Sequence, residues 1–330
     1  MRQMARTRCG AMTAALLTVA AAGSLVTGCS SGSGATDDGR APAPSRSGQE
    51  TAPAQSPSST AGPVLAVKID NVSAARPQTG LDAADVVYAE QVEGGLSRLM
   101  AIYASKLPSA VGPVRSARES DLELLRQFDR PTLAFSGAQH KLLPVIAKAP
   151  VHAVSADEGS SAYYRSASKV APHNLFLHPK QLMQSAPGAA ALTTGFHFGA
   201  APAGGSPETS RTVRFPAASF TFAWSANKHR WLVSMDGTPT VTTDGKRVSP
   251  ATVVVQYVKV RNSKYHDFLG NNTPYTETVG SGTAKVLRDG KVFDVDWKRP
   301  TAGGGTDFTT ADGAPMNFAK GQVWVVFAKA

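Results

Sequence analysis

Cysteine is nearly absent from this sequence of 330 residues, which contains only Cys9 and Cys29. Both lie near the amino terminus, so the rest of the chain has no thiol for a disulfide, a zinc–thiolate site or a cysteine nucleophile. None of the seven histidines is followed by glutamate, so the metalloprotease motif HExxH is missing too. Tyr265-His266-Asp267 is a local pair of titratable groups, but neighbouring residues on a strand point to opposite faces. We therefore identify no catalytic residue.

Long apolar runs are also scarce, and the first 28 residues predict a lipoprotein signal peptide. Basic residues Arg2, Arg6 and Arg8 precede an apolar segment at 11–26, which is short for a membrane span and interrupted by glycine. The string LVTGC at 25–29 follows, and it resembles the bacterial lipobox, in which cleavage leaves an acylated cysteine. A secretory signal with a chance cysteine is the alternative.

Acylation of Cys29, palmitate included, would anchor the protein at the outer face of the cell membrane. Each buried CH₂ contributes about 0.8 kcal/mol, so several chains hold a protein stably. Residues 29–62 are rich in Ser, Gly, Ala and Pro and contain no aromatic residue. Such a composition buries too little apolar surface to offset its ordering entropy, which predicts a flexible tether after the lipidated cysteine.

The remaining chain is long enough for one large or two ordinary domains, and its pattern changes near residue 200. In residues 63–200 strands alternate with helices, which predicts an α/β, sandwich-like domain. The turn Glu93-Gly94-Gly95 predicts a tight hairpin between two of its strands. The predicted strands are 64–70, 85–92, 96–104, 132–136 and 151–154, and the predicted helices are 116–128, 140–148 and a short one near 178–185.

Residues 201–330 predict a mostly antiparallel β domain, so the whole body is expected to be α+β. Asp-Gly turns are dense here, and 201–210 has the Gly, Pro and Ser content of a linker or loop. Arg288-Asp289-Gly290-Lys291 between two alternating runs is typical of a hairpin. The predicted strands are 220–224, 230–235, 253–259, 276–279, 284–288, 291–296 and 322–328.

The charge balance is basic, with a formal net charge of +10. Residues 191–330 hold 16 Lys and Arg against 10 Asp and Glu. Outside a membrane, this excess suits an anionic wall polymer or lipid headgroups. The export signal argues against nucleic acid as a partner. A solvated basic surface with no specific partner is the alternative.

Segment 90–118 concentrates the candidate ligand-binding residues. Arg98, Arg115 and Arg118 flank an apolar strand and the start of a predicted helix. Guanidinium forks bind phosphate bidentately, and the first N–H groups of a helix favour anions. The segment therefore predicts an anion site. The alternative is that Glu90 and Glu93 pair with these arginines in a structural salt-bridge network.

Arg76 is a further candidate cation, and Glu93 is included in the candidate ligand-binding set. If a divalent cation takes part, Asp70, Glu93 and Asp121 are its candidate ligands, because hard cations prefer carboxylates. No other cofactor is expected.

Several motifs resemble those of the YerB-like family of bacterial lipoproteins. The resemblance runs from about residue 63 to the carboxyl terminus. It implies an exported lipoprotein with two domains of unknown function, and it supplies no catalytic residues. The motifs are KIDN at 68–71, ARPQTGL at 75–81, VGPVRSAR at 111–118, APHNL at 171–175, VVVQ at 253–256 and GQVW at 321–324.

Three hypotheses about function follow. The first is an envelope protein that binds a phosphate-bearing wall polymer or lipid-linked precursor through Arg98, Arg115 and Arg118. The second is a wall-assembly enzyme of phosphotransferase type, which would use those arginines with Asp70 or Glu93 on a metal. The third is a scaffold that binds another protein at the cell surface.

Overall fold

A long mixed β-sheet forms the centre of the fold. The structure, a computed structural model, describes residues 62–267 and 269–330. The predicted signal peptide, the lipidation at Cys29 and all but the last residue of the predicted tether lie outside the described residues. None of the described helices is long and apolar enough to span a bilayer.

The first part of the body mixes strands with short helices. Its elements are β1 (Leu65–Asp70), β2 (Val86–Gln91), β3 (Ser97–Tyr103), α1 (Glu119–Leu125), β4 (Thr132–Phe135), α2 (Leu143–Lys148), β5 (His152–Ser155), β6 (Tyr163–Arg165), β7 (Leu175–Leu177) and α3 (Pro179–Leu182).

The second part is built of strands. They are β8 (Ser206–Pro207), β9 (Ser210–Phe215), β10 (Ala218–Ser225), β11 (Arg230–Met235), β12 (Thr238–Pro239), β13 (Thr252–Val258), β14 (Val260–His266), β15 (Asn272–Thr276), β16 (Gly280–Arg288), β17 (Lys291–Arg299), β18 (Asp307–Thr309) and β19 (Val323–Lys329).

The central sheet has eleven strands, ten of them in the order β18-β17-β16-β13-β19-β2-β3-β1-β4-β5, with β8 paired to β17. Strand β19 runs parallel to both β13 and β2, and β4 runs parallel to β1 and β5. The other pairs in this sheet are antiparallel. A second, antiparallel sheet has the order β12-β11-β10-β9, and β14–β15 and β6–β7 form separate hairpins.

Both faces of the central sheet are buried, because successive side chains along a strand point to opposite faces and each face is covered by other elements. Val67 of β1 belongs to a hydrophobic cluster with Trp231 of β11, so the second sheet covers that face. Ala66, the preceding residue, belongs to a cluster with Leu125 of α1, so helices cover the opposite face. Because both faces are covered, most strands in the middle of the sheet are apolar throughout.

The predicted fold class is confirmed. Residues 63–200 combine a mixed sheet with helices, and the described part of 201–330 is largely antiparallel β without a helix. The predicted boundary at residue 200 lies between α3 and β8, and strands from both sides share the central sheet. The division into two domains stays a prediction.

One prediction in the second part is wrong, and another holds for most but not all of its residues. The strand predicted at 276–279 ends at Thr276, because the N–H groups of Thr278 and Val279 donate to the Glu123 carboxylate at 2.8 and 3.2 Å. The predicted linker or loop at 201–210 contains β8 and the first residue of β9. Strand β8 pairs with β17, and β9 pairs with β10. These partners are distant in sequence, so the composition of this Gly- and Pro-rich stretch does not show that it forms strands.

Candidate anion-binding site

The arginine-rich segment lies at one end of the central sheet. Arg98 of β3 lies directly between Asp70 of β1 and Glu90 of β2 in the strand register. Since side chains alternate along a strand, Arg98 is on the same face as Met100, which belongs to the cluster that α1 covers. The row of charged side chains formed by Asp70, Arg98 and Glu90 therefore lies beside the start of α1.

A short 3₁₀ turn at Glu93–Gly95 joins β2 to β3, which confirms the predicted hairpin. Gly94 and Gly95 have φ values of 67° and 72°, a region that favours glycine. The turn places Glu93 beside Arg118, 25 residues later in the chain.

Arg118 forms a bidentate ion pair with Glu93. Its Nε donates to Oε1 at 2.6 Å and its Nη2 donates to Oε2 at 2.7 Å. The Thr273 hydroxyl also donates to Glu93 Oε1 at 2.5 Å. Burial alone would raise the pKa of Glu93, but the hydrogen bonds and charge of Arg118 outweigh it, and the pKa falls to about 2. This carboxylate is therefore ionised at neutral pH and neutralises Arg118.

Arg115 and His173 share the carboxylate of Asp70. His173 Nδ1 lies 2.8 Å from Asp70 Oδ2, and Arg115 Nε lies 3.5 Å from the same oxygen. The geometry at Arg115 Nε is too poor for a hydrogen bond, and this buried atom has no other hydrogen-bond partner among the described residues. Asp70 is only 3% exposed, so Arg115, His173 and the Val72 N–H, 3.5 Å from Oδ1, replace solvent around its carboxylate.

Arg98 is a largely buried arginine whose guanidinium has few partners. It is 12% exposed, yet its one hydrogen bond among the described residues joins Nη1 to the Ser116 carbonyl at 3.4 Å. Its nearest carboxylate oxygen, Glu93 Oε2, is 3.9 Å away. Burial, together with the positive charges of Arg118 and Arg115, lowers the pKa of Arg98 to about 10, although the negative charge of Glu93 opposes this shift. Arg98 stays charged at neutral pH with few groups to satisfy it.

Arg98, Arg115 and Arg118 line one cavity of about 550 Å³, which we call the arginine cavity. Asp70 and Glu93 line it too, as does Asp267. The Asp267 carboxylate accepts the N–H groups of Leu269 and Asn271 at 2.9 and 2.8 Å, so it fixes its own loop. The structure thus brings together three of the four predicted arginines and the predicted Glu93.

Arg76, the fourth predicted arginine, is engaged elsewhere and does not line the arginine cavity. Its Nη2 donates to the Asn71 carbonyl at 2.7 Å and to Asp236 Oδ2 at 2.8 Å. Its Nη1 donates to the Met235 carbonyl at 3.3 Å. Arg76 ties the chain after β1 to the end of β11, which the sequence could not show because the partners are about 160 positions away.

Glu90 does not pair with an arginine, contrary to the structural alternative considered for this segment. Its carboxylate contacts Lys68 and accepts the Ser120 hydroxyl at 2.9 Å. Lys68 also donates to Asp121 Oδ1 at 2.7 Å, and all three charged side chains are buried. Burial and the charge of Asp121 raise the pKa of Glu90, while Lys68 opposes both effects. The salt-bridge network exists, but Lys68 is the cation that holds Glu90.

The amino terminus of α1 is capped by Asp121, a residue of the helix itself. The Arg118 N–H donates to Asp121 Oδ2 at 2.6 Å, so Arg118 occupies the capping position. The Arg118 N–H is therefore not available to an anion.

The candidate metal ligands have separate partners. Asp70 faces His173 and Arg115, whereas Asp121 is bound by Lys68 and the Arg118 N–H. Within residues 62–267 and 269–330 no three His, Asp or Glu side chains are grouped as a metal site would need. A divalent cation stays a prediction.

Two family models match the chain. One, described as the N-terminal domain of a protein of unknown function (DUF3048), matches residues 50–193, and its C-terminal counterpart matches residues 211–325. The chain belongs to the DUF3048 family. The two matches cover both parts of the body, which confirms the resemblance carried by the sequence motifs.

A relative and a solved structure agree with this family. The chain is 25% identical over 270 residues to "Putative lipoprotein YerB" of Bacillus subtilis (strain 168), with 79% of this chain and 80% of the relative covered. It is also similar to the crystal structure of YerB from Bacillus subtilis, with a TM-score of 0.68 and 21% identity over 82% of this chain and 92% of that one. The structural likeness shows a shared fold.

Sequence reasoning missed Lys68, Thr273 and the contact of His173 with Asp70. A lysine inside the apolar run of β1 was the available signal for the first, since buried charges need partners. His173 and Thr273 lie 103 and 180 positions from the carboxylates they contact, so no local spacing reveals them.

Proposed function

We propose that this protein is an exported, lipid-anchored protein of the cell envelope that binds a phosphate-bearing ligand in the arginine cavity. The lipobox-like string ending at Cys29 and the name of the Bacillus subtilis relative support the anchor. The ligand class is a phosphorylated wall polymer or a lipid-linked wall precursor at the outer face of the cell membrane. The basic balance of the chain suits such anions.

Arg98 carries the proposal. A guanidinium has five N–H donors, and a buried one normally satisfies most of them. Arg98 satisfies one, weakly, while two more arginines line the same cavity. An anionic ligand would supply the missing acceptors and relieve the repulsion among the three cations.

Net charge alone does not make the case. Three arginines and three carboxylates line the cavity, so their formal charges cancel. The distribution is uneven, however, because Glu93 is committed to Arg118, Asp70 to His173, and Asp267 to its own loop. Arg98 and the two terminal nitrogens of Arg115, which make no hydrogen bond among the described residues, remain as donors for phosphate oxygens.

Titration calorimetry with inorganic pyrophosphate tests the proposal. The full chain, purified in detergent, is expected to bind pyrophosphate, and Arg98→Gln is expected to weaken binding at least tenfold. Arg76→Gln is the matched control, because it removes an arginine outside the cavity and should leave the affinity unchanged. Circular dichroism confirms that each variant folds. Equal losses in both variants, or no binding by the unmodified chain, would contradict the proposal.

A further inference from the structure

A second depression opens directly beside the arginine cavity. It has a volume of about 510 Å³ and shares Arg115, Ser116 and Pro172 with that cavity. Its other polar lining includes Ser136, Asp157, Ser160, Tyr164 and Arg165. We call it the hydroxyl pocket. A ligand that bridges the two spaces would place one end on the arginines and the other among hydroxyl groups.

Several polar groups of the hydroxyl pocket are free to take a ligand. Among the described residues, neither the Tyr164 hydroxyl nor the Asp157 carboxylate takes part in a side-chain hydrogen bond, whereas the neighbouring Tyr163 hydroxyl is committed to the Phe135 N–H and the Val154 carbonyl. The Ser116 and Ser136 hydroxyls lie 3.3 Å apart, so each retains hydrogen-bonding capacity.

The pocket is held in shape by packing around it. The Tyr164 ring stacks on the His178 ring with centroids 4.4 Å apart and planes at 16°, which fixes the direction of its hydroxyl. Asp157 packs so closely over Gly137 that any side chain at position 137 would collide with its carboxylate. That glycine therefore lets the carboxylate lie at the pocket wall.

The mixture of groups selects a class of ligand. Serine and tyrosine hydroxyls both donate and accept, Arg165 donates, and the Asp157 carboxylate only accepts. Such a set suits the hydroxyl groups of a sugar. A second phosphate would be repelled by Asp157, and an apolar chain would leave these polar groups unpaired. The volume lies within the range of small-molecule sites.

We infer that the ligand is a glycosyl phosphate, with its phosphate in the arginine cavity and its sugar ring in the hydroxyl pocket. This inference rests on the proposed function, since the phosphate must bind for the sugar to be placed. Arg115 and Ser116, which line both spaces, lie where the phosphate joins the sugar.

Calorimetry with matched probes tests the inference on the full chain. The probes are inorganic phosphate and the 1-phosphates of glucose, galactose and N-acetylglucosamine. At least one sugar phosphate is expected to bind tenfold or more tightly than phosphate. Tyr164→Phe and Asp157→Asn should reduce that advantage several-fold while leaving the affinity for phosphate unchanged. Glu158→Gln is the control, because this neighbouring carboxylate does not line the pocket.

The two proposals fail in different ways. If phosphate binds through Arg98 but no sugar phosphate binds more tightly, the glycosyl inference is overturned and the anion site stands. If the sugar advantage is present but persists in both pocket variants, the sugar does not lie in the hydroxyl pocket and the inference is equally overturned. If neither phosphate nor any sugar phosphate binds, the proposed function falls together with the inference.

Discussion

At the scale of single residues, the arginine cavity depends on how its carboxylates are distributed. Glu93 satisfies Arg118, and Asp70 is shared between His173 and Arg115, which leaves Arg98 underused. Breaking a buried pair is costly because the remaining charge has no counterion. Glu93 is therefore expected to contribute to stability as well as to the electrostatics of the cavity.

Glu93 is expected to make the free energy of unfolding depend on pH in the acid range. The pKa of its carboxyl is about 2 in the folded chain, against an ordinary value of 4.5. Between these values the unfolded chain binds more protons, so the free energy of unfolding should fall as pH drops from about 4.5 to about 2. The loss from this one group is about 3 kcal/mol. Urea denaturation at a series of pH values measures it.

Glu93→Gln is expected to be less stable at pH 7 and to depend less on pH over the same range. Glu158→Gln, an exposed carboxylate on another loop, is the control and should behave like the unmodified chain. An unchanged acid dependence in Glu93→Gln would show that Glu93 is not the group responsible.

Local sequence was enough to place some residues of the site and not others. Arg115 and Arg118 precede a run of leucines at helical spacing, and the structure has them just before α1 and at its cap. Lys68 was not predicted to hold Asp121, because the two lie 53 positions apart and meet only when β1 packs beside α1. Partners of this kind are set by tertiary packing.

At the scale of elements, the β2–β3 turn joins the arginine cavity to the second sheet. Gly95 lies against the turn between β9 and β10, whereas its N-terminal neighbour Gly94 faces open space. A methyl group on Gly95 would lie 2.6 Å from Pro216 Cβ, closer than carbon atoms pack. The Ala217 N–H also donates to the Gly95 carbonyl at 2.9 Å. The turn is thus fixed from outside.

Two alanine substitutions separate conformation from packing in this turn. Gly94→Ala and Gly95→Ala both force a residue with a Cβ into a positive φ, which costs about 1–2 kcal/mol. Gly95→Ala should cost about 1–3 kcal/mol more because of overpacking against Pro216. Urea denaturation of the two variants gives the difference directly. Equal destabilisation would mean that the contact with the second sheet yields without cost.

Strands with clear alternation were predicted well, and polar strands were not. The predicted range 230–235 matches β11, whose side chains alternate between buried and half-buried. Strand β14 (Val260–His266) was not predicted, because most of its residues are polar and its pairing with β15 supplies the stabilising hydrogen bonds. A strand of this type has no apolar period of its own to detect.

At the scale of the whole molecule, one sheet crosses both family segments. Strand β19, near the carboxyl terminus, pairs with β2 on one side and β13 on the other. Composition and spacing describe each segment separately, so they predict two units and cannot show this pairing. All described residues belong to one compact unit. Without β19, strand β2 would present an open edge in the middle of the sheet.

The shared sheet predicts that the two family segments unfold together. All four tryptophans, at 224, 231, 297 and 324, lie in the second segment, so tryptophan fluorescence reports on that segment alone. Hydrogen exchange of the amides in β1 and β3 reports on the first segment. In urea, the loss of fluorescence signal and the loss of exchange protection are expected at the same concentration, because neither segment completes the central sheet alone.

An intermediate would contradict this prediction. If β1 and β3 lost protection well below the urea concentration that changes the fluorescence, the segments would be independent domains that merely adjoin. Trp324→Phe removes the reporter on β19 itself and is the control for local fraying of that strand. The unmodified protein and Trp324→Phe should each show one common urea midpoint for fluorescence and exchange protection. That result would show that the arginine cavity, built on β1 and β3, is no more stable than the central sheet, which requires the carboxyl-terminal strand β19.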